Sequence, residues 1–284
     1  MFVSLNGGFL DKETATVPAF HSGLYYGTGC FETIRAESGN LLAFDEHYSR
    51  LKAGLRYLGA DDSDLPDQQI LLNSSKELLK LNGAEEMLSK VRIQCTIAER
   101  NGYAIDHDCN IYTLITAEIY RSTETPKVLT VAKTRVIPQS CRPSSLKLCN
   151  MLHYRNAFRE AQNVGADDAV MLSTAGYISE TSIANMLWKT GNRIYTPSEK
   201  CDCLPGIARN NVIKSVRKST EFKLIEGEFE LENLMEADSV WVTNSLIEIH
   251  PVERINQHEF VVDRQLTSRF LSVYRSVIKH FNRS

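Results

Sequence analysis

The sequence reads as a mixed α/β protein of two domains: an N-terminal α/β sandwich over residues 1–119 and a strand-rich C-terminal domain with flanking helices over residues 127–284. Three observations predict this. The apolar residues switch several times between a period of two and a helical period, which interleaves strands with amphipathic helices. The segment Tyr120-Arg-Ser-Thr-Glu-Thr-Pro126 is polar, short and closed by a residue that cannot continue regular structure, so 120–126 reads as a linker. A chain of 284 residues also holds enough material for two cores.

In chain order, residues 2–9 and 29–44 read as short strands broken by the turn signals Gly7-Gly8 and Ser38-Gly39-Asn40. Tyr48, Leu51, Leu55 and Leu58 then recur at helical spacing ahead of Gly59, a common helix stop. A second helix is expected from Pro66 to Asn82-Gly83. Val91, Ile93, Cys95 and Ile97 alternate as a half-buried strand does, and 111–119 is apolar on both faces, which predicts a strand covered on both sides. After the linker come a strand at 128–134 and a helix on which Met151, Tyr154, Phe158 and Ala161 share a face, ending at Gly165. Strands are expected at 168–173, 177–188, 193–196 and 240–243, with Gly191-Asn192 as a turn. One helix should follow Pro205-Gly206, and another should line up Leu266, Phe270, Val273 and Val277 near the C-terminus.

Composition narrows the function. Hydrophobic residues at 43% and charged residues at 24% describe a chain that folds by core burial. A formal net charge of -3 supplies no basic field for nucleic acid or anionic lipid, so neither is expected as a partner. Seven cysteines lack a repeated CxxC pairing, and the one-residue gap in Cys201-Asp202-Cys203 suits a tetrahedral metal site poorly, so no metal is expected and the thiols read as reduced. The N-terminus has no basic and apolar leader, and no run approaches the roughly 18 apolar residues of a membrane span. A cytoplasmic protein acting on small molecules is the expectation.

Several residues carry chemistry. Lys147, in Ser145-Leu-Lys-Leu-Cys-Asn150, has apolar neighbours that disfavour its charged form, which favours Schiff-base chemistry. Alone, a lysine at a strand end is far more often a solvated charge. Glu180 stands in the strand-like run Gly176-Tyr-Ile-Ser-Glu-Thr-Ser-Ile-Ala-Asn185, where a buried carboxylate needs a partner such as a pyridinium nitrogen; an exposed hairpin edge is the plain alternative. Leu204-Pro-Gly-Ile207-Ala208-Arg209 is a glycine turn opening a helix, whose N–H groups and dipole suit a phosphate, although Pro and Gly also mark ordinary helix starts. Thr243-Asn244-Ser245 gathers hydroxyl and amide donors at a strand end, or is simply a polar turn.

In order and spacing these pieces resemble the class IV, or fold-type IV, pyridoxal-phosphate enzymes: branched-chain aminotransferases, D-amino acid transaminases and aminodeoxychorismate lyases. The resemblance runs from about Asn6 to Val252. Tyr26-Gly-Thr-Gly-Cys-Phe-Glu-Thr-Ile-Arg35 looks like the family's N-terminal signature, and Glu46-His47-Tyr-Ser-Arg50-Leu51 like its histidine and phosphate-binding arginine. The resemblance implies a C-terminal mixed pseudo-barrel, pyridoxal 5′-phosphate as cofactor, a small-molecule amino substrate and a homodimer. It makes Lys147 the catalytic Schiff-base lysine, Glu180 the pyridinium partner, and Arg50, Ile207, Ala208 and Ser245 phosphate ligands. Two positions depart from the pattern: Thr28 replaces the aspartate of the family's GDG, and Ala208 replaces the threonine of its GITR, leaving backbone N–H groups to hold that phosphate oxygen.

The substrate side separates the subfamilies. D-amino acid transaminases carry a tyrosine where this chain has Phe31, and an arginine and histidine where it has Arg100 and Gly102. Branched-chain enzymes carry a GTA loop where it has Asn244-Ser245-Leu246. The lyases resemble it best, through Lys147 and Asn150 three apart, Arg100 ahead of Gly102-Tyr103, and the run from Thr243 to Val252. Phe31, Arg100 and Asn244 are accordingly expected at the substrate. The implied activity is that of aminodeoxychorismate lyase, releasing 4-aminobenzoate and pyruvate for folate biosynthesis. The alternatives are an aminotransferase for a D- or branched-chain amino acid, and a non-catalytic cofactor-binding protein that kept the fold.

Overall fold

The computed structural model describes residues 1–98, 110–218 and 220–281. The chain forms two compact units, one of Met1–Ser122 with Leu146–Asn150, the other of Thr123–Ser145 with Met151–Ser284. The short return of 146–150 to the first unit brings Lys147 with it.

The first unit is a six-stranded antiparallel sheet in the order β2-β1-β6-β5-β3-β4, made of β1 (Phe2–Leu5), β2 (Gly8–Asp11), β3 (Gly29–Glu37), β4 (Asn40–Leu41), β5 (Ser89–Ala98) and β6 (Asn110–Ile119). A single turn, α1 (Ser22–Tyr25), precedes β3, and α2 (Phe44–Tyr57) and α3 (Gln68–Leu81) cover one sheet face. The core joins Ile34, Val91, Ile93 and Ile115 from the sheet to Leu51, Leu55, Leu78 and Leu79 from the helices. Asp67 accepts from the Ile70 N–H and so caps α3 directly after Pro66. One expectation fails: β6 is not covered on both sides. Ile115 and Ala117 are buried on the face that the helices cover, while on the other face Leu114 and Thr116 are only half-buried and Glu118 is exposed.

The second unit is a mixed nine-stranded sheet in the order β12-β11-β10-β13-β14-β7-β8-β9, with β15 paired to β14. Its strands are β7 (Lys127–Val131), β8 (Asp168–Leu172), β9 (Ile178–Thr181), β10 (Asn185–Thr190), β11 (Arg193–Pro197), β12 (Lys223–Gly227), β13 (Ser239–Asn244), β14 (Glu248–Ile255) and β15 (His258–Glu259). The helices are α4 (Leu152–Asn163), α5 (Ile207–Arg217), α6 (Leu231–Met235) and α7 (Arg264–Phe281). β9, last in the order, returns against β10 and β11, so the sheet curls into the expected pseudo-barrel.

Two local readings change here. The strand expected over 177–188 is broken, because Thr181 turns its backbone and hydroxyl onto the Ala184 carbonyl while Asp168 takes the Ser182 N–H and hydroxyl. In α7 the buried face is Leu266, Phe270, Tyr274, Val277 and Ile278, and Val273 is exposed.

Candidate active site

In the first unit, Lys147 is placed by backbone pairing. The Phe31 N–H donates to the Lys147 carbonyl at 3.0 Å and the Cys149 N–H donates to the Gly29 carbonyl at 2.8 Å, so 147–149 lies along the start of β3. Lys147 Nζ stands 4.7 Å from the centroid of the Phe31 ring, and the Arg92 guanidinium carbon 3.8 Å from the same centroid. The Phe31 ring therefore carries the Arg92 guanidinium and the Lys147 amine close by, and the guanidinium is placed for a cation–π contact. Asn150 donates to the Tyr26 carbonyl at 2.8 Å. Gly27, at φ +68°, has room only for hydrogen there, since a Cβ would come within 2.8 Å of the Asn150 amide.

Arg50 lies on α2 and is clasped by Glu32 of β3. Its Nε and Nη2 each reach a Glu32 carboxylate oxygen at 2.7 Å, and His47 Nδ1 meets Oε2 at 2.6 Å. Burial works against ionising Glu32, but the Arg50 charge and hydrogen bonds and His47 outweigh it, holding the carboxyl down at about 2. Glu32 was missed by sequence reasoning as a functional partner. The signal was present: alternation along β3 puts it on the inward face with Cys30 and Ile34, where a charge needs a counter-charge. Arg92 was missed as well, and nothing in its local sequence distinguishes it from a solvated strand arginine. Arg100 lies outside the described residues.

In the second unit, Glu180 is buried on β9, with 4% of its surface exposed. Its Oε1 accepts from the Tyr154 hydroxyl at 2.5 Å and from the Leu204 N–H at 3.1 Å, and its Oε2 from the Asn185 amide at 3.2 Å. Asn185 also donates to the Leu204 carbonyl at 2.8 Å, which ties β10 to the loop before α5. Gly206 caps α5 without a side chain, so the first-turn N–H groups that include Ile207 and Ala208 have neither a helical acceptor nor a side-chain cap. A Cβ on Gly206 would sit 2.1 Å from Asn185 Oδ1, so this close approach also requires glycine. Buried Arg209 anchors the helix start through the Pro197 carbonyl at 2.7 Å and Glu226 at 2.9 Å.

Asn244 shapes the loop after β13. Its Oδ1 accepts from the Leu246 and Ile247 N–H groups at 2.9 and 3.0 Å, and its Nδ2 donates to the Ile183 carbonyl at 3.0 Å. Ser245 sits on that loop, next to a buried Thr243 hydroxyl that has no partner among the described residues. Taken within this unit, a buried carboxylate held by donors, an uncapped helix start and an orphaned hydroxyl fit the ring nitrogen and phosphate of a pyridoxal phosphate. No group of three or more His, Cys, Asp or Glu able to hold a metal occurs among the described residues.

The family model for class IV amino-transferases matches residues 29–255. The chain belongs to this family. Its enzymes use pyridoxal 5′-phosphate, and this chain is a pyridoxal-phosphate-dependent enzyme of the class IV aminotransferase and lyase group. It is 28% identical over 284 residues to the aminodeoxychorismate lyase of Bacillus subtilis, covering 98% of this chain and 95% of that protein. It is 30% identical over 232 residues to a probable branched-chain-amino-acid aminotransferase of Thermotoga maritima, covering 81% of this chain and 78% of that one. Its fold matches the crystal structure of a branched-chain aminotransferase from Thermoproteus uzoniensis with norvaline, at a TM-score of 0.88 and 24% identity over 98% of this chain and 94% of that one.

Proposed function

We propose that the chain is an aminodeoxychorismate lyase, converting 4-amino-4-deoxychorismate to 4-aminobenzoate and pyruvate. The observation that carries this reading is the similarity to the Bacillus subtilis lyase over 98% of this chain and 95% of that protein. The Lys147 to Asn150 spacing and Phe31 support it. When bound, pyridoxal phosphate supplies an electron sink conjugated to the amine-bearing carbon of the substrate.

The residues of the chain do the rest. Lys147 is the attachment point and, once displaced by substrate, the base that removes the proton from the amine-bearing carbon. The same ammonium then serves as the acid as the carbon–oxygen bond to the enolpyruvyl group breaks, so that pyruvate leaves and the remaining ring becomes aromatic. Glu180 stabilises the protonated ring nitrogen. Arg50, the first turn of α5 at Ile207 and Ala208, and Ser245 bind phosphate, with Glu32 fixing the plane of the Arg50 guanidinium. Asn244 shapes the Ser245 loop. By the family resemblance Phe31 and Arg100 bind substrate, and Arg92, a cation stacked on Phe31, meets a substrate carboxylate.

An aminotransferase is the second reading, favoured by the Thermotoga maritima relative at 30% identity. One assay separates them. Incubated with aminodeoxychorismate and no keto acid, the enzyme releases 4-aminobenzoate and pyruvate in equal amounts over many turnovers. An aminotransferase stops after one turnover unless a keto acid is supplied. Keto-acid-dependent turnover of L-leucine, L-glutamate or D-alanine, with no 4-aminobenzoate formed, overturns the lyase reading.

A further inference from the structure

We infer that Tyr154 is a positioning residue for the reaction, holding Glu180 as an ionised carboxylate aimed at the cofactor's ring nitrogen. This rests on the reading of Glu180 as the ring-nitrogen partner. The Tyr154 ring is buried on α4 against Ala157, Ala161, Ala169 and Met171, which leaves its hydroxyl little freedom, and that hydroxyl donates to Glu180 Oε1 at 2.5 Å. The Leu204 N–H and the Asn185 amide supply the neighbouring donors, at 3.1 and 3.2 Å. All three are neutral. They stabilise the carboxylate without adding a positive charge beside the ring nitrogen.

Burial and the adjacent Glu180 charge push the phenol well above its ordinary value, so Tyr154 remains a donor throughout the working pH range. His153 packs against the Tyr154 ring at 4.1 Å between centroids, and burial followed by the nearby Arg142 charge lowers it to about 4. Cys203 also faces Glu180, and burial raises its thiol, which stays neutral. Of the titratable groups named here, His153 and Cys203 stay neutral near neutral pH, while Arg142, on the approach to α4, brings a positive charge to Tyr154. A carboxylate so stabilised is a weaker base, and the shared proton stays on the ring nitrogen. Without the Tyr154 donor, Glu180 becomes more basic and draws that proton toward itself.

The test uses holoenzyme loaded with cofactor labelled with nitrogen-15 in the ring. In Tyr154→Phe the ring-nitrogen resonance moves toward the value of the unprotonated ring, and kcat falls about tenfold or more, the effect of removing one hydrogen bond to a charged group. Cofactor retention, followed by equilibrium dialysis, changes far less than kcat. Replacing Tyr154 with a fluorotyrosine, a stronger donor of nearly the same shape, moves the resonance the opposite way, a graded response that a packing role does not give. Thermal melts confirm that each variant is folded. If Glu180→Gln moves the resonance while both Tyr154 variants leave it unchanged, the inference falls and the reading of Glu180 stands. If Glu180→Gln also leaves it unchanged, that reading fails and the inference fails with it.

Discussion

At the scale of the residue, the two buried carboxylates meet the cost of burial in different ways. Glu32 is matched by cations, Arg50 and His47, whereas the donors described at Glu180 are a phenol, an amide and a backbone N–H. Arg50→Ala therefore does two things. It removes a charge-assisted phosphate contact, weakening cofactor affinity about tenfold or more. It also strands Glu32, destabilising cofactor-free protein by ~3 kcal/mol or more. Equilibrium dialysis reads the first effect and denaturant unfolding of the cofactor-free protein the second; unchanged affinity removes Arg50 from the phosphate site. His153 sets a pH dependence. Its folded value of about 4 lies below the ordinary value, so the unfolded chain takes up a proton first as pH falls. Stability is then lost progressively between roughly pH 6.5 and 4, by on the order of 3 kcal/mol at most. His153→Phe removes that loss, and identical pH profiles of unfolding for the two proteins contradict the burial of a neutral ring. Lys147, Glu180 and Arg50 stand out in the sequence because each belongs to a motif in a fixed order. Tyr154 was read only as one residue of an apolar helix face, since periodicity registers the ring and says nothing of where the hydroxyl goes.

At the scale of the element, helices were the most legible part. Pro66 announces α3, which the structure caps with Asp67, and Pro205-Gly206 announces α5, because helix entry is local chemistry. Strands were legible where they alternate, as in β5, and illegible where side chains rewrite the backbone, as where Thr181 and Asp168 break the run between β9 and β10. β14 was not anticipated; within it Pro251 lies opposite Trp241 of β13 and ahead of Val252–Ile255, the stretch that pairs with β7, so its missing N–H falls outside that ladder. The approach of Gly206 to Asn185 is also a tertiary fact, and it gives a sharp prediction. Gly206→Ala must displace the Asn185 side chain, which carries bonds to Glu180 and to the Leu204 carbonyl. Cofactor affinity and melting temperature should both fall, the affinity by about tenfold, the equivalent of one lost charge-assisted hydrogen bond. A variant with wild-type affinity shows that the loop before α5 adjusts freely.

At the scale of the whole molecule, the sequence suggests a division at the polar stretch 120–126, and the compact units meet along the chain between Ser122 and Thr123. What no local pattern marks is the return of Leu146–Asn150 to the first unit, because it depends on backbone pairing with β3, more than a hundred residues earlier. No helix among the described residues is long and apolar enough to cross a membrane. The homodimer implied by the family resemblance is checked by light scattering after gel filtration, with twice the chain mass of 32.1 kDa expected and the chain mass itself as the contrary result. The central claim is that one lysine, Lys147, holds the cofactor. Purified protein treated with borohydride should lose its visible absorption and carry the reduced cofactor on a single peptide, with the label on Lys147. A label on any other lysine, or no label on protein that retains full cofactor content, contradicts the account.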